Sequence, residues 1–228
     1  MGLLYLLMFA LMGVSFWLQY KLKSKFEQYG ATRLSSDLTG EEAAKMMLRD
    51  NGIYDVKVLS VEGKLTDHYN PMDRTINLSQ DVYFGRNAAA VAVAAHETGH
   101  AVQHATAYTW LQLRSQLVPA VSIVSGWMPW LLLIAIFTAQ FSLIPAGLVV
   151  IFFGLTAIFS IITLPVEFDA SNRALAWIKN KNIVTPQEYA MSKDALWWAA
   201  TTYVVAALSA IVTFLFYALR FFGGSRRD

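Results

Sequence analysis

Asn87-Ala-Ala-Ala-Val-Ala-Val-Ala-Ala-His-Glu-Thr-Gly-His-Ala-Val-Gln-His104 is the most informative stretch of this chain. Its start is rich in alanine, a strong helix former, and no proline lies between Pro71 and Pro119. We therefore expect a helix from about Asn87 to His104. The stretch contains the pattern H-E-x-x-H as His96-Glu97-Thr98-Gly99-His100.

The spacing of this pattern suits a catalytic metal. Residues four apart on a helix share a face, so His96 and His100 can each direct one ring nitrogen at a single ion. Glu97 lies about 100° further round the helix, where it can act on a water instead of binding the metal. Gly99 either permits close approach of another segment or of substrate, or has no particular role. A bare match is common by chance, but here a carboxylate cluster downstream supports a zinc site.

The composition restricts both the kind of metal site and the class of protein. The 228 residues include no cysteine, so a zinc ion must be held by histidine and carboxylate groups. The net charge of +2 indicates no nucleic-acid partner. Hydrophobic residues make up 56% and charged residues 15%, and the apolar residues are segregated along the chain. These values indicate a membrane protein.

Three uncharged stretches are long enough to cross a bilayer. Residues 1–20 read as a retained transmembrane anchor, because a signal peptide would need a basic start and a cleavage site. Residues 115–166 suit two spans joined near Thr138 to Ser142. The alternative is a buried hairpin in the core of a soluble protein, which this length disfavours. The predicted segments are an anchor at 1–20, an α+β catalytic portion at 21–114, a transmembrane hairpin at 115–166, a segment with the third metal ligand at 167–194 and a transmembrane helix at 195–222.

Local patterns predict the elements of the α+β portion. Thr39 and Glu42 have capping-box spacing at the start of a helix that Asn51-Gly52 ends. Alternation predicts strands at 54–61 and 74–79. Asp67-His-Tyr-Asn-Pro71 predicts a turn.

The Lys and Arg residues are unevenly divided between the two sides that four spans define. Fifteen of the 18 lie in 21–114 and 167–194, whereas Arg220, Arg226 and Arg227 lie on the opposite side. Cytoplasmic segments carry an excess of these residues. We therefore expect a multi-pass protein of the cell membrane, with the catalytic portion on the cytoplasmic side and both termini outside. The basic C-terminus counts against this orientation.

A catalytic zinc takes three protein ligands, and the motif supplies two. His104 lies one turn further on, but four residues span about 6 Å of helix, too far for three successive histidines to share an ion. Glu167 is the better candidate, because it is the first charge after 115–166 and four spans return it to the compartment of the histidines. Asp169 would point about 200° away on a continuous helix. Alternatively, both carboxylates only mark the membrane boundary.

If the helix continues through Glu167, small residues share its face and would permit close packing against the motif helix. These residues are Ala170, Ser171 and Ala174.

Several motifs together resemble those of a known family. They are Leu65-Thr-Asp-His-Tyr-Asn-Pro71, Ile76-Asn-Leu-Ser79, Asp81-Val-Tyr83, Ala92-Val-Ala-Ala-His-Glu-Thr-Gly-His-Ala-Val-Gln103 and Leu164-Pro-Val-Glu-Phe-Asp-Ala-Ser171. With these motifs the chain resembles the YugP-type neutral zinc metallopeptidases of bacteria over nearly its whole length. It is more distantly similar to the membrane gluzincins related to HtpX and the prenyl-protein CAAX endopeptidases.

Together with the predicted spans, the resemblance implies a mainly α integral membrane protein with about four transmembrane helices and a small α+β, zincin-like catalytic portion. It implies one catalytic Zn²⁺ with His96, Glu97, His100 and Glu167 in the active site. Gluzincins usually carry an Asp four residues after the ligand Glu, where it can orient a ligating histidine. Here that position is Ser171, which leaves Asp169 as a weaker candidate for the role.

These patterns predict a membrane-embedded zinc metalloendopeptidase that acts on peptide or membrane-protein substrates at the surface of the lipid bilayer. Residues 76–79 are expected to offer a strand edge to which an extended substrate adds. No pattern indicates an oligomeric state. The candidate donors to the oxyanion are Tyr69, His68, Asn172 and Arg173.

Two other classes of protein were weighed against the peptidase. A non-catalytic zinc-binding membrane scaffold would close all four metal positions with protein groups, and it has no use for the carboxylate of Glu97. A membrane metal transporter would normally carry ionisable groups within its spans, and the stretches 115–166 and 195–219 contain no charged residue.

Single cysteines introduced into this cysteine-free chain test the four-span arrangement. We expect cysteines at Lys64 and Lys181 to react with an impermeant thiol reagent from one side of the membrane. Cysteines in the Ala139-Gln140 turn and at Asp228 should react from the other side. Labelling of Lys64 and Lys181 from opposite sides would contradict the arrangement and, with it, the predicted active site.

Overall fold

The computed structural model describes residues 2–138 and 142–224. In chain order, these residues form α1 (Gly2–Gly30), α2 (Gly40–Asp50), β1 (Lys57–Val61), β2 (His68–Asn70), β3 (Thr75–Ser79), α3 (Gln80–Tyr83), α4 (Ala88–Ala105), α5 (Thr109–Thr138), α6 (Ile144–Lys181) and α7 (Pro186–Gly224). The protein is mainly helical with one small sheet, which confirms the predicted fold class.

Within the described part of the chain, four helices are long and apolar enough to cross a membrane: α1, α5, α6 and α7. Only 6% of the most apolar stretch of α1 and of α5 is buried, so these apolar surfaces face outward, as lipid contact requires. All four helices run beyond their predicted spans. Helix α1 continues past Tyr20 and α6 continues through Glu167, while α5 begins at Thr109 and α7 at Pro186. The chain is therefore a multi-pass membrane protein.

Part of the predicted topology falls on residues that the structure does not describe. In the connection predicted near Thr138 to Ser142, Ala139, Gln140 and Phe141 lie outside the described residues, as does Asp228.

Spatial contacts divide the chain into two compact units, the first of which comprises Met1–Trp17, Gln112–Leu164 and Thr202–Asp228. It contains the apolar parts of the long helices. Within it, the rings of Phe153 and Tyr217 stack with their centroids 4.7 Å apart.

The second unit comprises Leu18–Leu111 and Pro165–Thr201, and it contains the sheet and the shorter helices. Lys64 and Lys181 both belong to this unit, and their location in one compartment remains a prediction.

Helix α2 begins and ends where the sequence predicts. Thr39 Oγ1 accepts a hydrogen bond from the Glu42 amide at 3.1 Å, and the Glu42 carboxylate accepts one from the Thr39 amide at 2.8 Å. This capping box satisfies two amides that a helix start leaves without helical partners. Asn51 ends the helix, and Gly52 follows with a φ of +70°.

The sheet has the strand order β1-β3-β2, with β1 parallel and β2 antiparallel to β3. Strand β3 is buried at every position. The prediction that residues 76–79 offer a free edge is therefore wrong, because β3 is the central strand and both its sides are paired.

The turn predicted at 67–71 is also wrong, because β2 occupies most of this range. The Asp67 carboxylate accepts hydrogen bonds from the Ser79 amide at 2.7 Å and from its hydroxyl at 3.0 Å, which holds the start of β2 beside the end of β3. The actual turn follows Asn70 and ends at Arg74, whose φ is +51°. Turn-forming residues misled the prediction, since the pairing with β3 depends on contacts that are not local in sequence.

Candidate metal centre

Helix α4 presents the two histidines of the motif on one face, as predicted. Its start is capped by Asn87, whose side-chain oxygen accepts a hydrogen bond from the Ala90 amide at 2.8 Å. The rings of His96 and His100 have centroids 4.8 Å apart and planes that differ by 83°. Both rings can therefore point a nitrogen at the same position.

Helix α6 brings the Glu167 carboxylate to these histidines. Glu167 Oε2 lies 3.3 Å from His96 Nε2 and 3.6 Å from His100 Nε2. The Glu167 side chain is 2% exposed, so it is held away from bulk water. Among the described residues, these three side chains form the group of metal-ligand type whose donor atoms lie within 4.8 Å of one another.

This donor set fits a zinc ion. Zinc binds histidine nitrogen and carboxylate oxygen at about 2.0–2.2 Å, so the ligand atoms of one tetrahedral ion lie roughly 3.4 Å apart. The two distances from Glu167 Oε2 are close to that value. Two imidazoles and one carboxylate also leave a fourth position for water or substrate, which is the composition of a catalytic site.

Close contact between α4 and α6 makes this convergence possible. A Cβ atom added at Gly99 would lie 2.6 Å from the carbonyl oxygen of Ala170, closer than such atoms approach in proteins. Ala170 and Ala174 are fully buried. The face of small residues that the sequence predicted on α6 therefore packs against the motif helix, and Gly99 has the role of permitting close approach.

The other nitrogen of each histidine also has a partner. His96 Nδ1 lies 3.1 Å from the hydroxyl oxygen of Ser171. His100 Nδ1 donates to Gln103 Oε1 at 3.0 Å. A partner at Nδ1 fixes the orientation of an imidazole and leaves Nε2 to face the metal position. Ser171, four residues after Glu167 on α6, is thus the partner of His96.

Gln103 is fully buried and connects the two helices. Its amide nitrogen donates to the Val166 carbonyl at 2.7 Å and to the Asp169 carboxylate at 2.8 Å. Since that nitrogen faces two acceptors, the amide oxygen faces His100. Asp169, which also accepts from Arg173 at 2.5 Å, therefore reaches the centre through Gln103 and not by direct contact with a histidine.

Burial and charge act in opposite directions on His100. Burial lowers the pKa of the imidazole, but the carboxylates of Glu167 and Glu97 raise it, and the net effect is a pKa above the usual value. Glu97 is itself only 8% exposed, so its carboxylate lies in the interior close to the histidines and not in open water. The centre therefore has an excess of negative charge that a cation would balance.

The other two histidines have separate partners. His104 Nδ1 lies 2.7 Å from the Tyr69 hydroxyl, and His68 contacts the Thr66 carbonyl at 2.8 Å. His104 is not part of the group of three side chains, among the described residues, that could hold a metal ion. Two of the candidate oxyanion donors form hydrogen bonds with other side chains: Tyr69 with His104, and Arg173 with Asp169.

Sequence reasoning did not identify the roles of Ser171 and Gln103. Spacing alone could have indicated them, because Ser171 lies four residues after Glu167 and Gln103 three residues after His100, each one helical turn from a proposed ligand.

Comparisons with known proteins agree with this geometry. A protein family described as "Putative neutral zinc metallopeptidase" matches residues 4–222. The chain is 43% identical over 215 residues to a Bacillus subtilis (strain 168) protein named "Putative membrane protease YugP", which covers 94% of this chain and 95% of the relative. The comparison with solved structures gave no significant match.

Replacement of Gly99 tests the contact between α4 and α6. We expect Gly99→Ala to lower both the thermal midpoint and the zinc content of the purified protein, because the new Cβ would meet backbone that cannot simply rotate away. Overpacking of this kind costs about 1–3 kcal/mol. Gly126→Ala is the matched control: it lies in a helix with open space around it, and alanine there should be neutral or stabilising. Equal behaviour of the two variants would disprove the contact.

Metal analysis distinguishes Glu167 from Asp169 as the third ligand. We expect purified Glu167→Ala to lose stoichiometric zinc and Asp169→Ala to keep it, with affinity lowered about tenfold through Gln103. Circular dichroism of both variants controls for folding. Loss of zinc from Asp169→Ala alone would reverse the assignment.

Proposed function

The chain belongs to the neutral zinc metallopeptidase family, and on that premise we propose that it is a membrane-embedded zinc endopeptidase. The convergence of His96, His100 and Glu167 beside the carboxylate of Glu97 carries this proposal. Its substrates are peptides or membrane proteins, cleaved at the membrane surface. The name of the Bacillus subtilis relative, which describes a membrane protease, supports the same class of activity.

The ligand residues would hold one zinc through His96 Nε2, His100 Nε2 and a Glu167 carboxylate oxygen. When bound, zinc polarises the scissile carbonyl and makes water nucleophilic at neutral pH. Glu97 takes a proton from the attacking water on its carboxylate and passes it to the leaving amine. Ser171 and Gln103 keep the imidazoles in the orientation that this chemistry requires.

The sheet supplies a surface for an extended substrate. Strand β2 pairs with β3 on one side and is an outer strand of the described sheet. Its central residue, Tyr69, hydrogen-bonds to His104, which lies one turn after His100 on α4. We propose that a substrate strand adds to the free edge of β2, since backbone pairing of this kind binds a peptide without demanding a fixed sequence.

A non-catalytic zinc scaffold is the alternative. A structural zinc site usually has four protein ligands, whereas the group found among the described residues has three. A scaffold would also be insensitive to the loss of Glu97, which the following experiment measures directly.

Glu97→Gln separates catalysis from zinc binding. We expect this variant to retain zinc and to lose peptidase activity by at least about 10²–10⁴-fold, the usual contribution of a general base. His96→Ala and His100→Ala should lose zinc as well as activity. Activity is measured on a proteome-derived peptide mixture, and zinc by elemental analysis of the same preparations. Near-normal turnover by Glu97→Gln would disprove the mechanism.

Native substrates can be sought with the same pair of proteins. Membrane fractions exposed to the wild type should contain peptide termini that are absent after exposure to Glu97→Gln.

A further inference from the structure

A cavity of about 470 Å³ lies between α6 and α7 within the second unit. Its apolar walls are formed by Phe168 and Leu175 from α6 and by Leu196 and Trp197 from α7. Sites that bind organic ligands are usually apolar concavities of about 300–1,000 Å³ with a few polar groups. The cavity therefore has the size and lining for a bulky apolar group.

Two observations place this cavity close to the metal centre. Ser171, whose hydroxyl contacts His96 Nδ1, also lines the cavity. Phe168, another lining residue, directly follows Glu167 in the chain. The wall of the cavity and the surroundings of His96 thus share the side chain of Ser171.

Contacts with α1 and α4 hold the α7 wall in place. The carboxylate of Asp194, which lines the cavity, accepts a hydrogen bond from the Tyr29 hydroxyl at 2.5 Å and pairs with the Lys25 ammonium at 2.9 Å. Nearby, the buried hydroxyl of Ser192 donates to the Ala88 carbonyl at the start of α4. These contacts fix the position of the α7 wall, and the Lys25 ammonium compensates the negative charge of Asp194 in that wall.

We propose that this cavity is a specificity subsite, and that it receives a large apolar side chain of the substrate next to the scissile bond. The inference rests on the proposed peptidase function and adds the substrate class to it. An aromatic or long aliphatic side chain suits the apolar walls. A cationic side chain is not favoured, because Lys25 already compensates the charge of Asp194. Trp197, which is 61% exposed, adds a flat apolar surface to the lining.

The test compares variants that fill the cavity with matched controls. Ala190 lines the cavity and is exposed, so Ala190→Trp reduces the volume without disturbing buried packing. Ala206→Trp is the control, because it introduces the same side chain at an exposed position of the same helix outside the lining. Zinc content is measured for both variants to show that the centre is intact.

Cleavage of a proteome-derived peptide library gives the first measurement. We expect wild type and Ala206→Trp to prefer Phe, Leu or Met over Ala at one position beside the cleaved bond, by about tenfold or more in kcat/KM. In Ala190→Trp this preference should fall severalfold while cleavage beside small residues continues. A second measurement avoids turnover: on the Glu97→Gln background, Ala190→Trp should weaken binding of a Phe-containing peptide more than of its Ala counterpart.

The outcomes separate this inference from the function on which it rests. Cleavage without an apolar preference, or an unchanged preference in Ala190→Trp, would overturn the subsite and leave the peptidase standing. A preference for acidic residues would assign selectivity to Lys193, which also lines the cavity, and would overturn it too. A change in the amount of co-purified lipid in Ala190→Trp, without a change in side-chain preference, would also overturn the subsite. Equal inactivity of wild type and Glu97→Gln would overturn both proposals.

Discussion

The approach of two helix backbones at Gly99 and Ala170 is the constraint on which the centre depends. A carboxylate side chain is short, so Glu167 can reach the histidines only if α6 lies against α4 without intervening side chains. Small residues at the crossing allow this, as they do generally where helices pack closely in membrane proteins. The distances from Glu167 to both imidazoles follow from that contact.

The supporting hydrogen bonds use the same helical faces as the proposed ligands. Ser171 lies one turn after Glu167 and meets His96, while Gln103 lies just under one turn after His100 and meets that ring. Ser171 and Gln103 belong to helices and not to loops. Helical geometry therefore fixes the orientation of each imidazole relative to the Glu167 carboxylate. Gln103 reinforces the contact by donating to the Val166 carbonyl of the opposite helix.

Helix α6 contains both an apolar stretch long enough to cross a membrane and the carboxylate of the proposed third ligand. It is uncharged up to Glu167 and polar beyond it, yet the helix continues without a break. A charged group within the apolar part would be costly in lipid, so the first carboxylate stands where the apolar stretch ends. The position of the proposed ligand along the helix is thus tied to the length of the apolar stretch.

The sequence by itself determined the membrane spans, the motif helix, the capping box of α2 and the candidacy of Glu167, because hydropathy and helical periodicity are local properties. Only the tertiary structure decided the strand order, which made β3 central and placed β2 (His68–Asn70) where the sequence predicted a turn. It also decided that Ser171 and Gln103 contact the histidines. Strand pairing and helix crossing join residues far apart in the chain, and no local pattern encodes which partners meet.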